Sequence, residues 1–291
     1  MLKESKNEVY VEGLLAEKNV RELDNGAVAG NFVFQVDFEP EAGVKLTSTI
    51  PVDFYAAPKT KAGRDNPVYK SVNEVIATGK ALADGFSEDE ATRIRCRQAS
   101  LRENSFVGRN GELVTYVRLQ GAFFDKVKPT DFNPQANFKV RMVVSKIAEE
   151  MRRIEGEMQE TGAIQVTGLV VQWNSNVDEI KFLVKNKRYI DAVEKYWTPG
   201  DTVNATGYLS YTTEAAEYED EPDGFGVPQV QIRTRQMHDL VINNGSPGPI
   251  EDGYDKAEVK EAMRDRDARM KALLEKESKP KSKPADDDMG F

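Results

Sequence analysis

Between Ala91 and Arg118 the chain carries Arg93, Arg95, Arg97, Arg102, Arg109 and Arg118, opposed only by Glu103 and Glu112. Arg93, Arg95 and Arg97 alternate with Ile94 and Cys96. In a strand, successive side chains leave opposite faces, so three guanidinium groups are expected on one side and two apolar groups on the other. Tyr116, Arg118 and Gln120 alternate with Val117 and Leu119 in the same way, which predicts that they share the basic face from a neighbouring strand. Phe106 and Arg109 are expected in the loop before that last strand, placed to close over a ligand. Rings among arginines suit a nucleic acid single strand, whose bases stack on aromatic faces while its backbone follows positive charge. The plainer alternative is that these arginines only pair with surface carboxylates.

Little else in the sequence carries chemistry. There is one histidine, His238, and one cysteine, Cys96. A zinc site needs three or four ligands and a nucleophilic triad needs a positioned base, so neither is expected, nor is a disulfide within the chain. No GxxxxGK[ST] loop and no GxGxxG following a strand is present, which leaves nucleotide chemistry without a motif. A non-catalytic protein without cofactor or metal is expected. No apolar run approaches the roughly 20 residues of a membrane-spanning helix, and the opening residues have no apolar stretch after their charges. The expected setting is therefore the cytoplasm of a bacterium or of an infected host cell.

The net charge of −9 is at first sight wrong for a nucleic-acid partner. Distribution matters more than the sum. Glu214, Glu217, Glu219, Asp220, Glu221 and Asp223 form an acidic run, expected to be a loop, that is separate from the arginine-rich segment.

The elements that would position these residues follow from periodicity. Strands are predicted from Val9 to about Lys18, from Asn31 to Phe38 and from Leu46 to Phe54, with Phe32, Phe34 and Phe38 turned mainly to the core. A helix is predicted over about Ser71–Ala83, opened by Ser71 and Glu74 at capping-box spacing. Strands near 92–101 and 113–124 complete the set. Three strands, a helix and two strands is the OB-fold order, that of a small barrel used for oligonucleotides and oligosaccharides.

A weak internal repeat extends this plan, since Val9–Leu15 recurs as Ile164–Val170. Ile94 and Cys96 match Val203 and Ala205, and Val117–Leu119 match Ile232–Thr234. The second copy is shorter, with no room for a full third strand. It carries Thr202, Asn204 and Thr206 where the first has its arginines. Trp173, Tyr208, Tyr211, Arg233 and Arg235 are its candidate contacts, an interface role being equally open. Val144, Ile147, Met151, Ile154 and Met158 fall at helical spacing and predict a connecting helix, and Asp255 and Glu258 open another near the end.

The predicted fold is thus mainly β with accessory helices. Residues 1–135 form the main OB-type barrel, 136–160 the connecting helix, 161–245 a second OB-like barrel and 246–277 a C-terminal helix. Residues 278–291, rich in lysine and proline and then acidic, form a disordered tail.

That tail ends Asp286, Asp287, Asp288, Met289, Gly290, Phe291. Three acids, an apolar residue, a small residue and a terminal phenylalanine resemble the DDDIPF tip of bacterial single-stranded DNA-binding proteins. The resemblance implies that Phe291 with its own carboxylate enters an apolar pocket rimmed by basic residues on replication, recombination or repair proteins while Asp286, Asp287 and Asp288 steer it there, Met289 being a further partner contact. It covers the tip and the general OB pattern. Two units, a helix and a short linker depart from the family's single domain, Gly290 replaces its proline, and its tetramer does not carry over. The enlarged plan looks more like that of bacteriophage replication proteins. The function so implied is coating of single-stranded DNA, with recruitment of partners by the tail. A recombination mediator or strand-annealing protein is the nearest alternative, and a protein-interaction OB module the more distant one.

Overall fold

The computed structural model describes residues 2–108, 110–154, 157–219 and 230–278. The chain is mainly β, as the alternation predicts. The first set of strands is β1 (Asn7–Glu22), β2 (Val28–Glu41), β3 (Val44–Ala56), β4 (Arg93–Val107), β5 (Leu113–Gly121) and the short β6 (Phe124–Lys126), with α1 (Pro67–Thr78) between β3 and β4. The second is β7 (Gln135–Ile154), β8 (Glu157–Val171), β9 (Val177–Val184), β10 (Thr202–Glu219) and β11 (Val230–Gly245), with α2 (Lys187–Tyr196) between β9 and β10. A final helix, α3, covers Lys256–Ser278.

Pairing within each set returns to its starting strand. β1 pairs antiparallel with both β2 and β4, β2 with β3, and β4 with β5. The circuit is completed by a short parallel contact between β3 and β5, Val52 opposite Leu119 and Asp53 opposite Gln120. In the second set β7 pairs with β8 and β10, β8 with β9, and β10 with β11. There a parallel contact of Val241 with Leu183 joins β11 to β9. Apart from the short β6, both sets therefore repeat one order: three strands, a helix, two strands.

The inward positions explain why these segments pair. Phe32, Phe34, Ile50, Val52, Ile94, Cys96, Leu101 and Leu119 are buried, and Phe32 packs edge-on to Phe124. Phe138, Met142, Val166, Ile180, Phe182 and Leu209 do the same in the second set, and the two cores are continuous. Phe32 and Phe34 are thus core residues, while Phe38 is partly buried and lies edge-on to Tyr208.

The sets are fused by β1, whose Asn7–Glu12 edge pairs with β7 from Val140 to Gln135. A second tie is the buried Ser48 on β3, which donates to the Leu209 carbonyl and accepts from the Tyr211 N–H, both on β10. α3 is anchored by Val259 and Ala262 in a small cluster with Leu2, Val143, Leu169, Val171 and Val177. Asp255 caps it, accepting from the N–H groups of Ala257 and Glu258.

Several expectations need correction. Residues 136–160 are not a connecting helix but most of the β7–β8 hairpin. Its strand pairing shifts register between Val144 and Lys146 and between Glu149 and Met151. The first shift adds a residue on β7, which turns a period of two into the helix-like step from Val144 to Ile147, whereas at the second the extra residues lie on β8, where Ile164–Glu160 face Glu149–Met151. The second set therefore starts with β7, and the match of Val9–Leu15 to Ile164–Val170 pairs a first strand with a second one. The strand thought absent from the second copy was the first, not the third.

In α1 the helix starts earlier than expected. Asn66 caps it by accepting from the Val68 N–H, while Ser71 instead hydrogen-bonds the backbone of Phe124. The acidic run at 214–223 is not wholly a loop, because β10 continues through Glu219 opposite Val230. Asp220, Glu221 and Asp223 lie outside the described residues, as do Arg109 and the tail residues Asp286, Asp287, Asp288, Met289, Gly290 and Phe291. Among the described residues, no helix is long and apolar enough to cross a membrane.

Candidate nucleic-acid interface

β4 is long enough to serve two neighbourhoods. Its first half, Arg93–Cys96, pairs with β1 on one side and with β6 on the other; its second half, Ala99–Val107, pairs with β5. Between Cys96 and Ala99 three residues of β4 face two intervals of β1, since Val11 opposes Cys96 and Val9 opposes Ala99. This bulge reverses the pleat: Ile94 and Cys96 point inward before it, Ala99 and Leu101 after it. Outward positions thus change from odd to even numbers, which puts Arg102 and Phe106 on the exposed face. Phe106 belongs to the strand itself and not to a loop.

Across the ladder Arg102 stands opposite Arg118, Asn104 opposite Tyr116 and Phe106 opposite Val114. The exposed rings of Phe106 and Tyr116 meet edge to face at 6.1 Å between centroids. Aromatic edges are positive and faces negative, so this arrangement is mutually attractive and holds both rings up as one surface. Two guanidinium groups side by side repel each other, and each has only a distant acid. Arg118 lies 3.9 Å from Asp53, whose carboxyl is raised by burial against the opposing pull of Arg118. Arg102 acts on Asp178 of β9. The buried Nε–H groups of Arg102 and Arg118, like that of Arg95, have no hydrogen-bond partner in the protein.

The odd-numbered arginines are more engaged. Arg93 lies over the Phe132 ring at 5.6 Å. Arg97 grips Asp125 of β6 with an Nε–carboxylate distance of 2.5 Å, and Arg95 stands 3.8 Å from the same carboxylate. Arg95 also bonds Tyr10, whose hydroxyl donates to the buried Glu12. Of the predicted residues, Arg102, Phe106, Tyr116 and Arg118 come together on one open face. Arg97 approaches it, and Arg93 and Arg95 lie on the β6 side, partly neutralised.

Two clefts flank this face and share Arg102 and Gln120. One, of about 820 Å³, runs between the strand sets past Arg97, Tyr10 and Lys139. The other, of about 720 Å³, lies between β4–β5, the β8–β9 turn and α3, and includes Arg118, Trp173, Arg269 and Lys276. The sequence placed Trp173 among second-copy candidates but held no signal that Arg269 and Lys276 would reach the first copy's face. Tyr208 and Tyr211 are buried, and Arg235 lies at the surface near the Arg153 carbonyl.

Burial pushes the Cys96 thiol up to about 12, which leaves it protonated near neutral pH. Among the described residues, no group of three or more His, Cys, Asp or Glu side chains is placed to hold a metal ion.

The fold is similar to that of solved structures of the single-stranded DNA-binding protein from Thermus aquaticus. The wild-type protein is 11% identical with a TM-score of 0.51, covering 87% of this chain and 97% of that one. A deletion mutant of it is 13% identical, also at 0.51, covering 86% and 97%. At such identities the likeness is one of fold. No curated protein matches the sequence. The model of the YorF family, however, matches residues 6–279, a span that takes in both strand sets and ends where α3 ends. By that match the chain belongs to the YorF family.

Proposed function

We propose that this protein binds single-stranded DNA on the outward face of its β4–β5 ladder, and that its two strand circuits are OB-type barrels in tandem. The observation that carries this reading is the juxtaposition of Arg102 and Arg118, poorly neutralised by protein, with the Phe106–Tyr116 ring pair on one open surface. Cations track the phosphates and rings accept the bases. Similarity in fold to a protein that binds single-stranded DNA supports it. Arg97 extends the positive track, with Arg93 and Arg95 at its margin, and Arg109 is a further proposed contact outside the described residues. Binding itself is the proposed activity. The acidic tail ending in Phe291 recruits replication, recombination or repair proteins, as its resemblance to bacterial tips implies.

Titration of a labelled oligothymidine over a range of salt tests the reading. Each phosphate contact contributes about 0.7 to the log–log salt slope for single strands. Arg102→Ala with Arg118→Ala should therefore flatten the slope by roughly 1.4. Tyr116→Ala should weaken binding by about 1–3 kcal/mol and Tyr116→Phe by much less. An unchanged slope in the double variant, or no binding by the intact protein at moderate salt, would refute it.

A further inference from the structure

Trp173 is the most exposed large apolar side chain among the described residues, at 67%, whereas Trp197, the other tryptophan, is 4% exposed and donates its indole N–H to the Ser246 carbonyl. A tryptophan left in water needs a reason, and here the backbone beneath it adds to the cost. Asn174 and Ser175 both adopt positive φ, 61° and 59°, a left-handed conformation disfavoured for residues with a Cβ by about 1–3 kcal/mol each. The turn is nonetheless tied down. Gln172 donates its backbone N–H to the Asn176 carbonyl and, itself buried, its side-chain amide to the Leu101 carbonyl on β4. Ser175 reaches the Leu2 carbonyl. Asn176 accepts from Arg269 of α3 at 2.6 Å.

The indole faces a groove whose other walls are the Arg102–Arg118 face and the second half of α3, where Arg269, Leu273 and Lys276 line it. The first half of α3 is fixed in place. Arg266 makes a bidentate pair with Glu103, Nε to Oε2 at 3.0 Å and NH2 to Oε1 at 2.7 Å, and that carboxylate is only 2% exposed. The pair consumes the acid nearest the groove, leaving Asp178 as the remaining carboxylate on its lining. Four cations, an exposed ring and an apolar ledge thus converge from three separate parts of the chain.

We infer that the Trp173 turn and the C-terminal helix form the opposite wall of the strand-binding groove, so that a single-stranded nucleic acid lying on β4–β5 is also held by base stacking on Trp173 and by phosphate contacts to Arg269 and Lys276. The inference rests on the reading of the β4–β5 face given above. It explains three observations together: the solvent exposure of the indole, the strained turn that presents it, and the cationic apolar ledge on a helix that belongs to the family's matched span. It also gives a basis for discrimination, because a duplex hides the base faces that the indole would stack on.

The two tryptophans make the test direct, since only Trp173 is placed to respond to a ligand at the surface. The intact chain is titrated with oligothymidine while tryptophan emission and the anisotropy of a labelled oligothymidine are followed separately. Emission should be quenched with the anisotropy midpoint in wild type, and the quench should vanish in Trp173→Phe, which still binds. Trp173→Ala should lose roughly 5- to 150-fold in affinity, the equivalent of one stacked base. Lys276→Ala, a change at an exposed position that spares the Arg269–Asn176 bond, should lower the salt slope by about 0.7, and Arg269→Ala with Lys276→Ala by about 1.4. A duplex of the same length should not quench. Binding by anisotropy without any quench, or an Arg269/Lys276 variant with an unaltered slope, overturns this inference and leaves the β4–β5 reading standing. No anisotropy change with the wild-type protein overturns both.

Discussion

Asp178 shows how one side chain is set between stability and binding. It accepts the Glu103 N–H at 3.1 Å on the floor of the α3-side groove, and burial raises its carboxyl above 3.8, with the Glu103 charge adding and Arg102 opposing. A raised value means that folding favours the protonated form. The associated stability is complete below the unfolded value and is lost as pH rises through the folded one. At neutral pH the ionised carboxylate is thus a net burden to the fold and a negative charge beside the arginines. Asp178→Asn keeps an oxygen for the Glu103 N–H and removes the charge. It should raise the neutral-pH melting temperature, remove a pH dependence that begins near 3.8 and extends upward, and tighten oligothymidine binding several-fold. Thermal melts from pH 3 to 8 and a salt-matched titration check this, and a lower melting temperature with weaker binding would contradict it. At this scale the sequence was informative about residue types and silent about neighbours. Tyr116 and Arg118 were legible as outward positions and Arg102 only as a charge of the basic segment, but Asp125, which quiets Arg95 and Arg97, comes from a three-residue strand that alternation is too short to reveal.

At the scale of elements, the least legible features were the irregular ones. The β7 bulge turned strand alternation into an apparent helical stripe, and the β4 bulge moved the outward face from odd to even residues. A bulge is a local response to twist and pairing partners, so nothing at the bulged residue announces it. The end helix was foreseen, but not what it packs against. Its narrow apolar face divides between an anchor, Val259 and Ala262, and a groove wall, Met270 and Leu273. Arg266→Ala would leave the Glu103 carboxylate buried without a cation, held by the Glu179 N–H and a long hydrogen bond from the Ser105 hydroxyl, at a cost of about 3–5 kcal/mol. The expected outcome is faster amide exchange across α3 and the adjoining β4, with most of the loss recovered when Glu103→Gln is added to Arg266→Met. Exchange rates indistinguishable from wild type would show that the apolar anchor alone holds the helix.

At the scale of the whole molecule, the β1–β7 ladder, the Ser48 bridge and the continuous core predict that the two strand sets unfold together. Two internal probes are available, one in each set: the buried Cys96 thiol and the buried Trp197 indole. In a Trp173→Phe background, thiol exposure and tryptophan emission should give coincident urea transitions, as two-state behaviour requires. Separated midpoints would mean that the shared strands do not couple the sets.

By itself the sequence determined the β character of the chain, the order of strands around the first helix, the core aromatics and the concentration of arginine in one stretch. These are local properties, carried by alternation, composition and capping over windows of a few residues. Tertiary structure alone decided which arginines remain open to a ligand, that Trp173 faces the first set's basic surface, and that α3 supplies the opposite wall. Those relations join residues about 70 to 170 positions apart, from Arg102 to Trp173 and Lys276. Their proximity is settled by strand pairing, bulges and one buried ion pair, none of which leaves a periodic trace in the sequence.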